Sequence, residues 1–220
     1  MFLSRMFINP RKRGGQRLLA SPQRMHAAVE AGFPPHTFEN GVARPLWRID
    51  RQNDDVALFV VSPVEPDLTH LVEQAGWQTG ELWQTRPYSP LLNSLAPGQS
   101  WQFRLTANPT YFGRKDGWSD TKPRAHTTVK QQERWLLDRC AKAGFSIPDG
   151  PTGESELRIL ERGSLRFSKG GHTVSLATAT YEGHLVVSDA DQLRATLSQG
   201  LGRAKAYGCG LLTLAPRGDR

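Results

Sequence analysis

The order in which strands and helices follow one another is the feature that most constrains the fold of this chain. Alternating apolar residues predict four strands in the first part of the sequence, at 2–9, 46–52, 56–62 and 82–88. A helix is predicted at 21–33, with Ser21 as its cap and Pro22 in its first turn. A second helix begins near Pro66 and ends at Gly76. The resulting order is strand, helix, strand, strand, helix, strand.

The same order is then repeated. Strands are predicted at 100–110, 155–168, 173–187 and 209–216, and helices at 131–143 and 188–200. Ser188 and Gly200 are expected to cap and end the last helix, and the Pro, Ser and Gly content of 89–99 is typical of a linker. The pattern predicts an α+β protein of two tandem ferredoxin-like (RRM-like) domains at 1–88 and 100–220, each βαββαβ with an antiparallel sheet.

Charge is distributed unevenly along the chain. The protein has 28 Lys and Arg against 21 Asp and Glu, a net charge of +7 and a pI of about 9.8. Residues 1–29 contain no acid, whereas residues 50–81 contain seven acids and a single basic residue, Arg51. This asymmetry favours a polyanion on one face and water or another protein on the other. A basic surface without a ligand is the alternative that the charge pattern leaves open.

Several classes of protein are not indicated. No apolar run is long enough to span a bilayer, and positive charge follows the apolar N-terminal stretch, in the opposite order to a secretory signal. Cys140 and Cys209 have no closely spaced partner, so we expect two unpaired thiols in a cytoplasmic protein. The six histidines share no ligand spacing, so neither a zinc site nor any other cofactor is predicted.

His26 is the candidate for acid–base chemistry. It lies in the predicted first helix, inside the segment that contains no acid. Met25, Ala28 and Val29 form the expected buried stripe, and His26 is about 100° from Met25, at the edge of that stripe. An imidazole there could exchange a proton with a ribose hydroxyl or a leaving oxygen. A structural or surface histidine is the alternative.

Basic residues and glycines suggest sites for a phosphate backbone. The segment 200–210, GLGRAKAYGCG, could bring backbone N–H groups close to a phosphate, or could only turn the chain before the last strand. A basic hairpin at 158–169 could enter the groove of an RNA stem, and the polar loop 114–124 offers a similar option. The candidate RNA-binding residues are Arg24, Lys122, Arg124, Arg158, Arg162, Arg166, Lys169, Gly200, Gly202, Arg203, Lys205, Gly208 and Gly210.

Five segments together resemble a known family. FLSRMFINP, SPQRMH, FRLTANPT, YEGHLVVSDADQL and QGLGRAKAYGCGLLTLAP are similar to the CasE family, the RNA-processing endoribonuclease subunits of type I-E CRISPR Cascade complexes. The most specific part of the resemblance is at 181–216. The resemblance implies metal-independent cleavage of CRISPR precursor RNA at the base of the repeat stem-loop. Attack by the 2′-hydroxyl would leave a 2′,3′-cyclic phosphate and a 5′-hydroxyl.

The resemblance also implies residue roles and partners. His26 occupies the position of the catalytic histidine, and Gly200, Gly202, Lys205, Gly208 and Gly210 match a glycine-rich loop that faces the first-domain helix across the RNA. The implied partners are the repeat stem-loop RNA and other Cascade subunits, with no cofactor and no membrane. We expect a chain that is monomeric in isolation.

One position departs from the family pattern. Gln23 stands where family members carry a tyrosine, and an amide cannot exchange a proton near neutral pH. His26 would then act with less help. This departure keeps open a subunit that binds the stem-loop without cleaving it. A scaffold that contacts only protein, through the acidic segment 50–81, is a third possibility.

Overall fold

A computed structural model describes residues 1–39, 41–77, 82–113, 122–151 and 153–217, except for the side chains of Ser168, Lys169 and His172. The first half of the chain contains β1 (Phe2–Phe7), α1 (Arg13–Leu19), α2 (Pro22–Glu30), β2 (Leu46–Gln52), β3 (Asp55–Ser62), α3 (Thr69–Ala75) and β4 (Trp83–Pro87). Its strands form an antiparallel sheet in the order β2-β3-β1-β4. The predicted strand order and antiparallel pairing of a ferredoxin-like sheet are confirmed here.

The second half begins with α4 (Ser89–Ser94) and β5 (Ser100–Ala107). A small hairpin of β6 (Thr110–Gly113) and β7 (Lys122–Ala125) follows, and then α5 (Val129–Cys140) with a 3-10 turn, Ala141–Ala143. The chain ends with β8 (Phe145–Ser146), β9 (Leu157–Lys169), β10 (His172–Val187), α6 (Ala190–Gln199), a 3-10 turn (Lys205–Tyr207) and β11 (Leu212–Pro216). The sheet order is β11-β5-β10-β8, with β9 paired to β10. Both halves therefore build the predicted α+β fold.

The sequence pattern misses α1. Two adjacent glycines disfavour a helix, which is why the segment 13–19 is not predicted as one. A β-carbon at Gly14 would lie 2.0 Å from the carbonyl oxygen of Gln74, and one at Gly15 would lie 2.1 Å from that of Asn9. The glycines therefore allow α1 to pack directly against the backbone of α3 and of the segment after β1.

Three local expectations are corrected. The predicted linker 89–99 contains α4, and its residues Leu92 and Leu95 are buried in the core. The cap of α6 is Asp189 rather than Ser188, since the Asp189 carboxylate accepts hydrogen bonds from the N–H groups of Asp191 and Gln192. In the predicted polar loop 114–124, residues 122–124 belong to β7, and residues 114–121 lie outside the described part of the chain.

The first sheet is covered on both faces. Met6, Leu58 and Val60 point to the face that carries α1, α2 and α3. Leu46 and Val61 belong instead to the core of the second half, which is built around α5, α6 and the second sheet. The two halves therefore share a continuous apolar contact.

A buried arginine adds polar contacts between the halves. Arg48, on β2, is 1% exposed, and its guanidinium donates to both carboxylate oxygens of Asp50 at 2.6 and 2.8 Å. It also donates to the carbonyl oxygens of Arg104 and Leu211 and to the Thr213 hydroxyl, at 2.8, 2.9 and 2.8 Å. Since these partners lie on β5, just before β11 and on β11, Arg48 fixes the first sheet to the edge of the second.

The two cysteines are buried and unpaired in the described part of the chain, as predicted. Burial raises the pKa of Cys140 and of Cys209 to about 12, so neither thiol is activated at neutral pH. Among the described residues, no helix is both long enough and apolar enough to cross a membrane.

Candidate active site between the two halves

Local sequence explains where α2 presents His26. The Ser21 hydroxyl accepts a hydrogen bond from the N–H of Arg24, and Pro22 occupies the first turn, as predicted. Met25 and Val29 are buried under the first sheet. The His26 side chain retains 16% of its exposure at the edge of this stripe. It is therefore neither enclosed in the core nor fully exposed to solvent, as the helical periodicity predicts.

His26 opens onto a cleft between the two halves of the molecule. The cleft has a volume of about 490 Å³, and its other walls come from Arg44 and Leu46 in the first half and from Gln199, Lys205 and Ala206 in the second. The predicted pair of His26 and the glycine-rich segment is thus brought together. Residues 26 and 205 line the same cleft because the 3-10 turn Lys205–Tyr207 packs against α2 and β2.

A carboxylate accompanies the histidine. The Nε2 atom of His26 lies 3.5 Å from Oε1 of Glu30, one helical turn later. A carboxylate at this distance restricts rotation of the imidazole ring. Sequence reasoning did not single out Glu30, although its i,i+4 spacing from His26 is a signal that could have identified it.

Lys205 is the first residue of the 3-10 turn Lys205–Tyr207 within the glycine-rich segment. Its side chain is partly enclosed, and this burial lowers the pKa of its ammonium group. A lysine in such a position can stabilise a phosphate by charge and gives up a proton more readily than an exposed lysine. Arg44 adds a second cation to the same cleft and was missed by sequence reasoning, because it stands alone in a loop.

The glycines of 200–210 have a structural explanation. Gly200, Gly208 and Gly210 have φ angles of 77°, 80° and 91°, and a β-carbon at Gly208 would lie 2.7 Å from the Trp47 ring. Their three N–H groups donate to Thr196, Lys205 and Thr106 carbonyl oxygens. These donors are engaged within the protein, which favours the chain-turning interpretation for these three glycines. Gly202, between Gly200 and Gly208, also has a positive φ of 84°, and its β-carbon position lies 3.1 Å from the Trp135 ring.

The basic hairpin does not present all its charges on one face. Arg166 and Arg162 pair across from Ser175 and Ala179, and so share a face. A register shift between Thr180 and Tyr181 places Arg158 on the opposite face. The side chain of Lys169 lies outside the described part of the chain.

Arg162 has partners within the protein. Its Nε donates to the Gln132 side-chain oxygen at 2.8 Å, and its Nη2 donates to the carbonyl oxygen of Thr127. Both acceptors lie at the start of α5. Arg162 therefore anchors the hairpin to that helix, a role that the charge pattern alone did not suggest.

The remaining predicted cations are spread over the surface. Arg24 is exposed on α2, and Lys122 and Arg124 are exposed on β7. Arg203 is exposed on the glycine-rich segment, where its guanidinium lies 5.5 Å from the centre of the Phe112 ring. Within the described ranges, no three His, Cys, Asp or Glu residues are grouped so that they could hold a metal ion.

Known proteins are similar to this chain in both sequence and fold. The profile of a family described as CRISPR associated protein matches residues 1–216. The chain is 31% identical over 224 residues to the CRISPR-associated endoribonuclease Cse3 of Thermus thermophilus, covering 98% of this chain and 100% of that protein. It is 46% identical over 121 residues to the Cascade subunit CasE of Escherichia coli, covering 52% of this chain and 57% of that protein.

A solved structure is similar over the same extent. Thermus thermophilus Cse3 bound to an RNA that represents a pre-cleavage complex superposes with a TM-score of 0.82 at 31% identity. The superposition covers 98% of this chain and 98% of that chain. The similarity therefore includes both halves and the cleft between them.

Proposed function

This chain belongs to the CRISPR-associated protein family that includes Cse3 and CasE, and we propose that it cleaves CRISPR precursor RNA at the base of the repeat stem-loop with His26 as its acid–base residue. The resemblance noted in the sequence is thus confirmed at the level of the family. The chain is an endoribonuclease of this family, and the assignment of residues to its chemistry is our proposal.

In the proposed reaction, a ribose 2′-hydroxyl attacks the adjacent phosphate. The bond from the 2′-oxygen to phosphorus forms while the bond from phosphorus to the 5′-oxygen breaks, leaving a 2′,3′-cyclic phosphate and a 5′-hydroxyl. The attacking hydroxyl loses a proton and the leaving oxygen gains one, and His26 mediates this transfer. Lys205 and Arg44 neutralise the charge that develops on the phosphate oxygens.

One observation carries this proposal. His26 and Lys205 line the same cleft although they come from opposite ends of the chain. Such a cleft can hold a phosphate between an imidazole and an ammonium group, and alignment of the scissile phosphate with the 2′-hydroxyl supplies much of the rate enhancement. Glu30 positions the imidazole through its 3.5 Å contact.

Gln23 lies on α2 about one turn before His26 and does not itself line the cleft. It is exposed in the first turn of α2, and its amide can donate a hydrogen bond to a phosphate oxygen without exchanging a proton. In the proposed mechanism His26 therefore transfers the proton. Lys205 is the second titratable side chain beside the phosphate, and it supplies positive charge. Because Gln23 lacks a titratable proton, stem-loop binding without cleavage is the alternative outcome that the cleavage assay distinguishes.

The partners follow from the same relatives. Thermus thermophilus Cse3 has been solved with RNA, and Escherichia coli CasE is a Cascade subunit. We extend both properties to this chain, in which the repeat stem-loop contacts the face of the hairpin that carries Arg166, and another Cascade subunit contacts the acidic segment 50–81. A cytoplasmic location and a monomeric state in isolation belong to the same proposal.

The direct test is to incubate the purified protein with the repeat RNA of its own host in the presence of EDTA. We expect cleavage at the base of the stem-loop, with a 2′,3′-cyclic phosphate on one product and a 5′-hydroxyl on the other. Bound but intact RNA would favour the non-catalytic alternative. Inhibition by the chelator, or a 3′-hydroxyl product, would contradict the metal-independent mechanism.

A further inference from the structure

A second groove lies beside the glycine-rich segment. It is formed by β6, α5 and residues 202 and 203, and its volume is about 790 Å³. Lys205 and Ala206, a few residues later, line the cleft of His26. One short segment, 202–206, therefore borders both cavities. An RNA strand that leaves the His26 cleft across this segment would enter the second groove.

The groove has an exposed aromatic surface. Phe112 is 65% exposed and Tyr111 is 42% exposed, which is unusual for large aromatic side chains. The Tyr111 ring is held against the His126 ring with 4.8 Å between centroids, and the Arg203 guanidinium lies over the Phe112 ring. These contacts orient the aromatic rings but leave much of their surface available to a ligand.

The charges around this surface are mostly positive. Four cationic side chains and one carboxylate line the groove, within the part of the chain that the structure describes: Lys130, Arg134, Arg139, Arg203 and Asp138. The carboxylate is paired to Arg134 at 2.7 Å. Burial and the nearby Arg139 lower the pKa of His126, which favours the neutral form of this ring. The net charge of the groove is therefore positive.

Exposed aromatic rings among cations are the usual surface for single-stranded nucleic acid, since bases stack on the rings and phosphates contact the cations. We propose that this groove binds single-stranded RNA that flanks the repeat stem-loop, with one base stacked on Phe112 and a phosphate beside Lys130. The proposal rests on the proposed function, because it requires that a repeat RNA crosses the His26 cleft.

The test compares two RNAs that carry a 2′-deoxy nucleotide at the scissile position and so cannot be cleaved. One contains only the stem-loop, and the other adds single-stranded nucleotides on both sides. We expect Phe112→Ala to weaken binding of the flanked RNA by roughly 5- to 100-fold and to leave binding of the stem-loop unchanged. Phe112→Tyr keeps the ring and is expected to bind both RNAs as the wild type does.

Controls separate stacking from general effects. Trp77→Ala removes an aromatic residue that is 41% exposed and does not line the groove, and it should change neither affinity. Abasic nucleotides in the flanks should abolish the difference between Phe112→Ala and the wild type. Lys130→Ala, on the exposed face of α5, tests the charge independently and should weaken only the flanked RNA.

Three outcomes would overturn the inference. These are equal affinity of the wild type for both RNAs, equal loss of both affinities in Phe112→Ala, and binding of a polyglutamate peptide that the flanked RNA does not displace. The last result would assign the groove to an acidic protein segment. A wild type that binds neither RNA would instead contradict the proposed function, so the two failures are distinguishable.

Discussion

At the scale of single residues, the geometry around His26 separates a positioning group from the group that exchanges the proton. Glu30 contacts the imidazole but is itself 36% exposed, and an ion pair that is open to solvent contributes little to stability. A second pair of the same kind, between His36 and Glu39 at 2.8 Å, is exposed on the surface and does not line the cleft of His26 and Lys205. The chain therefore contains its own matched control.

We expect Glu30→Gln to slow single-turnover cleavage by roughly 2- to 5-fold, the rate equivalent of a solvent-exposed ion pair. The melting temperature should change little for the same reason. In a His26→Ala background, Glu30→Gln should have no further effect, since the carboxylate acts through the imidazole. Glu39→Gln should leave the rate unchanged. Equal slowing in both backgrounds would show that Glu30 acts independently of His26.

At the scale of elements, the glycine-rich segment holds Lys205 in place by close packing. Gly208 has a φ of 80°, and its β-carbon position is 2.7 Å from the Trp47 ring. Gly98 has a φ of 86° with no atom near its β-carbon position. Both glycines have a positive φ, but only Gly208 has a neighbour near its β-carbon position. Substituting alanine at each position therefore separates the cost of backbone strain from the cost of the clash with Trp47.

Gly208→Ala is expected to lose about 1–2 kcal/mol of unfolding free energy from backbone strain and roughly 1–3 kcal/mol more from the clash with Trp47. Gly98→Ala should lose only the first part. Cleavage should fall in Gly208→Ala at temperatures where it remains folded, because the turn that carries Lys205 must move. Urea unfolding and single-turnover rates measure both effects. Equal destabilisation of the two variants would contradict the packing explanation.

The elements that could be predicted from sequence are those whose signals are local. The cap at Ser21, the break at Gly76 and the turn between β9 and β10 depend on residues a few positions apart. The helices α1 and α4 were missed because their sequences read locally as a glycine pair and as a Pro- and Ser-rich linker. Their formation depends on tertiary contacts, such as that of Gly14 with Gln74, which no local pattern contains.

At the scale of the whole molecule, the candidate site exists only if the two halves hold a fixed relation. Arg48 contributes to this relation, since one guanidinium contacts Asp50, Arg104, Leu211 and Thr213. The sequence could not identify it, because an arginine inside an apolar strand looks like an exposed residue. The cleft was anticipated only through the family resemblance, since residues 26 and 205 are joined by the fold and not by spacing.

Arg48→Met removes the guanidinium but keeps most of the side-chain volume. We expect it to destabilise the protein by about 3–5 kcal/mol, because the largely buried Asp50 loses its two short bonds from Arg48 and keeps, among the described residues, the more distant Arg104 at 3.5 Å. Arg134→Met breaks an exposed pair and should cost less than about 1 kcal/mol. Chemical denaturation measures both. Equal effects of the two substitutions would contradict a structural role for Arg48 between the halves.

The central claim is that His26, held opposite Lys205, carries out RNA cleavage. The most direct test is single-turnover cleavage of the repeat RNA by His26→Ala in EDTA, with stem-loop affinity measured in parallel and His36→Asn as the control. Asparagine tolerates the positive φ of 65° at position 36. We expect His26→Ala to cleave at least about 100-fold more slowly, with stem-loop affinity within about twofold of the wild type. Cleavage at the wild-type rate, or loss of binding without loss of the cleavage step, would contradict the claim.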